Sequence, residues 1–204
     1  MRRSIYSVHP GVAMVQRAIV KLPAKTGRTL EDWIALIKKR GISDIRATRD
    51  WLKREHTLGT NYATWLAERA AGSSEDSDPD KYLETAEHYV DEMFSGARAA
   101  LRPIYDALLK FALAIGKDVK ACPCKTIVPL YRNRVFAQIK PATRTRIDLG
   151  LSLGDMKTPK RVIETGGLKK NDRITHRIEI RSHADIDGEM TRWLLKAYQL
   201  DEQT

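Results

Sequence analysis

Residues 135–153 read VFAQIKPATRTRIDLGLSL, two alternating runs joined at Pro141. In the second run Ile147, Leu149, Leu151 and Leu153 share one parity, and Arg144, Arg146 and Asp148 take the other. Successive side chains of a strand point to opposite faces, so the leucines are expected on a core and the arginines in water. In the first run Val135, Ala137 and Ile139 alternate against Arg134, Phe136, Gln138 and Lys140. A hairpin that keeps both apolar sets on one face needs an odd loop, because a one-residue slip inverts every side chain. A loop of Pro141, Ala142 and Thr143 places Lys140 opposite Arg144, Gln138 opposite Arg146, and Phe136 opposite Asp148. The expected outer face is a basic patch with an aromatic in it. Facing like charges cost stability, so the patch is either well solvated or covered by an anion.

Outward from this stretch the period stays near two. Strands are expected at 118–121, 125–131, 134–140 and 144–152, and another at 174–181 with Ile174, His176, Ile178 and Ile180 inward. Residues 157–172 form a basic loop with a short strand at 161–164. Ser182 and Asp185 make a capping box ahead of a last helix striped by Ile186, Met190, Trp193, Leu194 and Ala197. Upstream, Asp78 and Pro79 open a helix with an apolar face through Tyr82, Ala86, Val90 and Met93. Its outer face is acidic, with Glu84, Glu87, Asp91 and Glu92. Residues 97–115 are helical again, with Pro103 in a first turn or at a kink. Helices, then an antiparallel sheet, then a helix is an α+β pattern.

The N-terminal part has the helical period. Residues 1–8 are a short basic lead, expected to be mobile. A first helix starts at Pro10 and breaks at 23–28. Thr29 and Asp32 box a second, which ends at Gly41. Ser43 or Asp44 caps a third, Gly59 stops it, and Thr60 caps a fourth. Trp33, Trp51 and Trp65 fall at helical spacing and are expected in the core of a small bundle. The polar run GSSEDSDPD at 72–80 marks a boundary. The expected organisation is a helical domain at 8–71, an acidic linker at 72–78, and an α+β domain at 79–200.

The chain has 204 residues, 42% of them apolar, enough for one large core or two small ones. No apolar run approaches a membrane span and no signal-like stretch opens the sequence. Its two cysteines, Cys122 and Cys124, flank Pro123, so no disulfide framework is available and a cytoplasmic setting is expected. Net charge is +10, unevenly spread: +8 over residues 1–71, −5 over 72–116, +10 over 117–181 and −3 over 182–204. Basic excess concentrated on particular segments is the footprint of a polyanion partner.

Both halves resemble bacterial families of unknown function. KTGRTLEDWIALIKKRG followed by WLKREHTLGTNYATWLAERA resembles domain-of-unknown-function family 4287. LRPIYDALL, KTIVPLYRNRVFAQIKPATRTRIDLGL, THRIEI and a final WLLKAY resemble family 5655. Together these cover roughly residues 8–200. The resemblance implies a two-domain bacterial protein. Domains like the second also occur joined to nuclease-like domains, which favours a nucleic-acid setting.

No catalytic signature stands out. Cys122 and Cys124 supply two metal ligands where a tetrahedral site needs four, so they read as reduced thiols. His176, on the inward parity of its strand, reads as a hydrogen-bonded core histidine. Glu179 and Arg181 echo the acidic end of a metal-dependent nuclease site without its lysine. The third and fourth helices could form a helix-turn-helix, though Trp65 and Leu66 have core spacing. The expected site is therefore a surface: Arg132, Arg134, Lys140, Arg144 and Arg146, with Lys169, Lys170 and Arg173 from the loop. Phe136 and Tyr131 stand near enough to stack a base. The expected function is a non-enzymatic module that binds nucleic acid or another polyanion, with no cofactor and no metal. Alternatives are a homodimer or protein adaptor acting through the acidic helix 79–95, and a small-molecule pocket between sheet and last helix beside His176 and Tyr198.

Overall fold

In the computed structural model, which describes residues 4–72 and 78–202, helices fill the first part of the chain and a six-stranded sheet the second. Two compact units result: residues 8–82, and residues 83–202 together with 4–7. The division falls inside a helix, between Tyr82 and Leu83. Of the expected linker at 72–78, residues 73–77 lie outside the described residues.

In the first unit α1 spans Pro10–Thr26 and runs through Pro23, where a break was expected. The proline lacks one N–H, but its carbonyl accepts from the N–H of Gly27 at 2.8 Å. Gly27 closes the helix in the left-handed region, φ 75°, where a residue without Cβ meets no steric cost. Helix α2, Leu30–Arg40, starts from the expected box: Thr29 Oγ1 accepts from the Asp32 N–H at 3.1 Å and Asp32 Oδ2 from the Thr29 N–H at 3.2 Å. Asp44 caps α3, Ile45–His56, and α4 spans Thr60–Ala70. Thr60, expected as a cap, is the first helical residue, and Gly59 stands at the cap without a side-chain bond. Leu22, Trp33, Ile37, Trp51, Leu52, Ala63 and Leu66 form the core. Trp65 is a correction: it is half-buried at the rim of that core.

Helix α5, Pro79–Met93, carries the chain into the second unit from Leu83 on, and a 3-10 turn over Gly96–Leu101 and α6, Arg102–Ala114, with Pro103 in its first turn, follow. The strands are β1 (Lys120–Ala121), β2 (Val128–Tyr131), β3 (Val135–Pro141), β4 (Ile147–Leu151), β5 (Ile163–Glu164) and β6 (His176–Ile180). Their order is β1-β2-β3-β4-β6-β5, antiparallel throughout. Rows Ile139–Leu149–Ile178 and Pro141–Ile147–Ile180 cross the centre in register on the buried face. Helix α7, Gly188–Leu200, capped by Asp187, packs across β3 and β4.

The hairpin keeps the expected parity but not the expected register. Lys140 pairs with Asp148, Gln138 with Gly150, and Ala137 with Leu151. The loop is residues 142–146 instead of 141–143. The N–H groups of Ala142 and Thr143 both donate to the Arg146 carbonyl, at 3.0 and 3.2 Å, and this local closure takes Arg144 and Arg146 out of the ladder. Sliding both apolar sets by an even number keeps them inside while exchanging a facing Lys–Arg pair for a facing Lys–Asp pair.

Three further expectations are corrected. Phe136 is fully buried, its ring edge-on to Tyr198 at 5.6 Å, so it is no part of an outer face. Ile174 precedes β6 and packs on the opposite side from His176. A Cβ added to Gly150, whose neighbours Leu149 and Leu151 point to the core, would lie 2.7 Å from Ile174 Cγ2. The described part of the lead, residues 4–8, is tied down: Tyr6 is buried with its hydroxyl 3.1 Å from that of Tyr105, and the Ser7 N–H donates to Ala121 O at 2.9 Å, while residues 1–3 lie outside the described residues.

Candidate functional site

The eight basic residues expected on one face fall into separate groups. Lys140, Arg144 and Arg146 lie at one end of β3, in or beside the loop 142–146. Arg132, Arg134 and Arg173 lie at the other, where Arg173 Nε donates to Val135 O at 3.2 Å. Seven strand residues separate these ends, about 20 Å at ~3.3 Å per residue. Lys169 and Lys170 are exposed on the 3-10 turn Leu168–Lys170.

At the loop end, β4 and β6 bring Asp148 opposite Glu179, and both point away from the core. Arg146 reaches both carboxylates, its Nε 2.8 Å from Asp148 Oδ1 and its Nη1 2.9 Å from Glu179 Oε1. The first contact is poorly aligned, and as a hydrogen bond neither atom is satisfied by it, so it acts as charge pairing. Arg177 Nη1 bridges the same two carboxylates at 3.1 and 2.9 Å, and Arg181 Nη2 holds Glu179 Oε2 at 3.0 Å. These bonds, that of Arg181 foremost, hold the Glu179 carboxyl below the usual carboxylate range against the opposing effect of burial. Lys140 and Arg144 are exposed at the margin and take part in none of these ion pairs. The cluster thus has five cations around two carboxylates.

Arg177 and Arg181 belong to this site, although Arg177 was not singled out in the sequence and Arg181 was weighed only as an echo of a nuclease site. The signal was present, since they share the outward parity of a strand whose isoleucines and His176 point inward. What the sequence could not show was that β6 lies next to β4.

At the far end the charges of Arg132 and Arg173 are used internally. Arg132 stacks 4.2 Å over the Tyr198 ring and pairs with Asp118 at 2.8 Å and Glu202 at 3.1 Å. Tyr198 donates to Asp118 at 2.6 Å, and this bond first, with that of Arg132, lowers the Asp118 pKa. Asp201, buried at the end of α7, accepts from the N–H groups of Asn133 and Arg134 at 2.8 and 2.9 Å and from Arg173 at 3.1 Å. This end joins the β2–β3 turn to α7.

His176 lies in the core row with Ala137 and Leu151, 2% exposed, its Nδ1 2.9 Å from Thr175 Oγ1. Its Nε2 is buried and has no hydrogen-bond partner among the described residues. A cavity of about 370 Å³ beside α7 is lined by Met156, Pro159, Glu189, Arg192, Trp193 and Lys196, with neither His176 nor Tyr198 among them. Cys122 is buried and Cys124 half-buried, and burial pushes the Cys122 thiol up to about 12. In the acidic helix α5, Asp91 pairs with Arg102 at 2.7 Å and Glu92 with His88 at 3.1 Å. No helix of the described residues is long and apolar enough to cross a membrane.

Comparison with known proteins yields two family models. One, Domain of unknown function (DUF4287), matches residues 15–71. The other, Domain of unknown function (DUF5655), matches residues 90–201. No curated protein and no solved structure matches the chain. A model that spans more than half the sequence, including every strand of the sheet, places the chain in the family of unknown function DUF5655, here preceded by a DUF4287 segment.

Proposed function

We propose that the second unit is a binding module that contacts the phosphate backbone of nucleic acid through the β3–β4 hairpin end. The observation that carries this reading is the excess of cations there: Lys140 and Arg144 stand exposed outside the ion pairs that hold Arg146, Arg177 and Arg181 to Asp148 and Glu179. The paired arginines are rigid and partly neutralised, and the two outer cations remain for a ligand. With Phe136 buried, no aromatic of this strand is offered to a base. The expected binding is electrostatic and indifferent to sequence.

The test is filter binding of duplex and single-stranded DNA over a salt series. Each phosphate contact releases counterions, with a slope of about −0.9 per contact on duplex and −0.7 on single strands. Two or three contacts give a slope near −2 to −3 on duplex. No retention above background at the lowest salt rejects the reading.

A further inference from the structure

In the first unit α1 carries Arg17, Lys21 and Lys25 at intervals of four and no carboxylate. That spacing puts the three cations along one stripe of the helix. Between α1 and α4 lies a cleft of about 290 Å³ lined by Met14, Val15, Ala18, Asn61, Tyr62 and Trp65. Its lining is apolar except for Asn61. Met14 is 70% exposed, and Trp65, which the helical spacing assigns to the core, forms part of the wall.

Each aromatic of the wall carries a cation. The Lys25 ammonium sits 5.6 Å over the Tyr62 ring, and the Arg69 guanidinium 4.7 Å over Trp65. Arg69 is half-buried, its Nε is enclosed without a hydrogen-bond partner, and it takes part in no ion pair among the described residues. Desolvation lowers its pKa. A partly buried guanidinium that has an aromatic face but no anion among the described residues gains from a carboxylate supplied by a partner.

We propose that this cleft receives the apolar face of an acidic amphipathic helix from another protein, whose carboxylates meet Lys25 and Arg69. The volume is at the lower edge of ligand pockets, about 300–1,000 Å³, and has room for a few side chains at helical spacing. A second copy of this chain fits poorly. Its acidic helix α5 has the carboxylates, but its apolar residues Tyr82, Ala86, Val90 and Met93 are buried in its own fold. A lipid surface is flat and meets apolar side chains that protrude, whereas Tyr62 and Trp65 line a hollow.

The inference is independent of the hairpin reading and is tested on the full chain. The probe is a helical peptide of ~16 residues, about 24 Å long, with leucines along one stripe and glutamates elsewhere, beside a version with lysines for the glutamates. Binding is followed by amide shifts of the labelled protein. The glutamate peptide is expected to bind saturably, with shifts centred on Met14, Ala18, Tyr62 and Trp65. Met14→Glu and Lys25→Glu, both at exposed positions, should weaken it about tenfold. Lys140→Ala with Arg144→Ala should leave it unchanged, which separates this cleft from the hairpin. Equal binding of both peptides, shifts confined to the hairpin, capture by anionic vesicles without peptide binding, or a dimer broken by Met14→Glu would each overturn it.

Discussion

Lys140 pairs with Asp148 across β3 and β4, and this places the loop cations beyond the end of the ladder. Arg144 then projects from a closed five-residue loop while Arg146 turns back onto the Asp148 and Glu179 carboxylates. The two arginines, two residues apart, should therefore respond differently to substitution. Arg144→Ala is expected to remove about one phosphate contact, reducing the duplex salt slope by ~0.9 with stability unchanged. Arg146→Ala is expected to destabilise by about 1 kcal/mol and to change the slope less, because its charge is already shared between carboxylates. Filter binding across salt, with urea unfolding of the same variants, separates the two. Equal slope losses would mean that Arg146 also reaches the ligand.

The periodicity of the sequence revealed the α+β class, the capping box at Thr29 and Asp32, and the inward set Ile147, Leu149 and Leu151. It also revealed the odd parity of the hairpin loop. It did not reveal the loop length, because three and five residues satisfy that parity equally and the choice rests on backbone bonds to the Arg146 carbonyl. Phe136 was misread for a related reason. Alternation assigns it to the outer face, but Tyr198, 62 residues away in sequence, packs on it. The candidate site was legible in charge and illegible in pairing. Asp148 and Glu179 are far apart along the chain, and only the adjacency of β4 and β6 makes them partners for three arginines.

Asp201 holds the end of α7 to the β2–β3 turn through two backbone N–H groups and Arg173. Its side chain is 1% exposed, so removing it leaves a gap at the end of α7 and takes the acceptor from three donors at once. Asp201→Ala is expected to cost about 3 kcal/mol. Asp201→Asn, which keeps an acceptor oxygen, should cost less. Urea unfolding should show a lower midpoint at constant m. A loss below ~1 kcal/mol for the alanine variant would show that the turn docks by other means.

The two cysteines should differ in reactivity. The thiolate is the nucleophile, and with its pKa near 12 the buried Cys122 thiol is almost wholly protonated at pH 8. Cys124 is half-buried. Brief iodoacetamide treatment followed by peptide mass spectrometry should find label on Cys124, with Cys122 labelled only after denaturation. Label on Cys122 first would contradict the burial that raises its pKa.

Glu179 makes the charge cluster sensitive to acid, and the sign follows from the direction of its shift. Its folded pKa lies below its unfolded value because Arg181, Arg177 and Arg146 favour the carboxylate. Its contribution to stability is therefore fully present above the unfolded pKa, about 4.3, and is lost as pH falls through the folded pKa. The carboxylate is partly open to solvent, so the effect should be modest, about 1 kcal/mol at neutral pH. Glu179→Gln should be less stable than the unaltered protein at pH 7, and the gap should be smaller at about pH 3. The same variant adds one to the net charge of the cluster and frees Arg181, so its DNA retention at neutral pH should rise. Urea unfolding at both pH values and filter binding at one salt concentration measure the two effects. A stability gap unchanged by acid would mean that Glu179 contributes by packing, and unaltered retention would mean that the ligand does not sense the charge of this face.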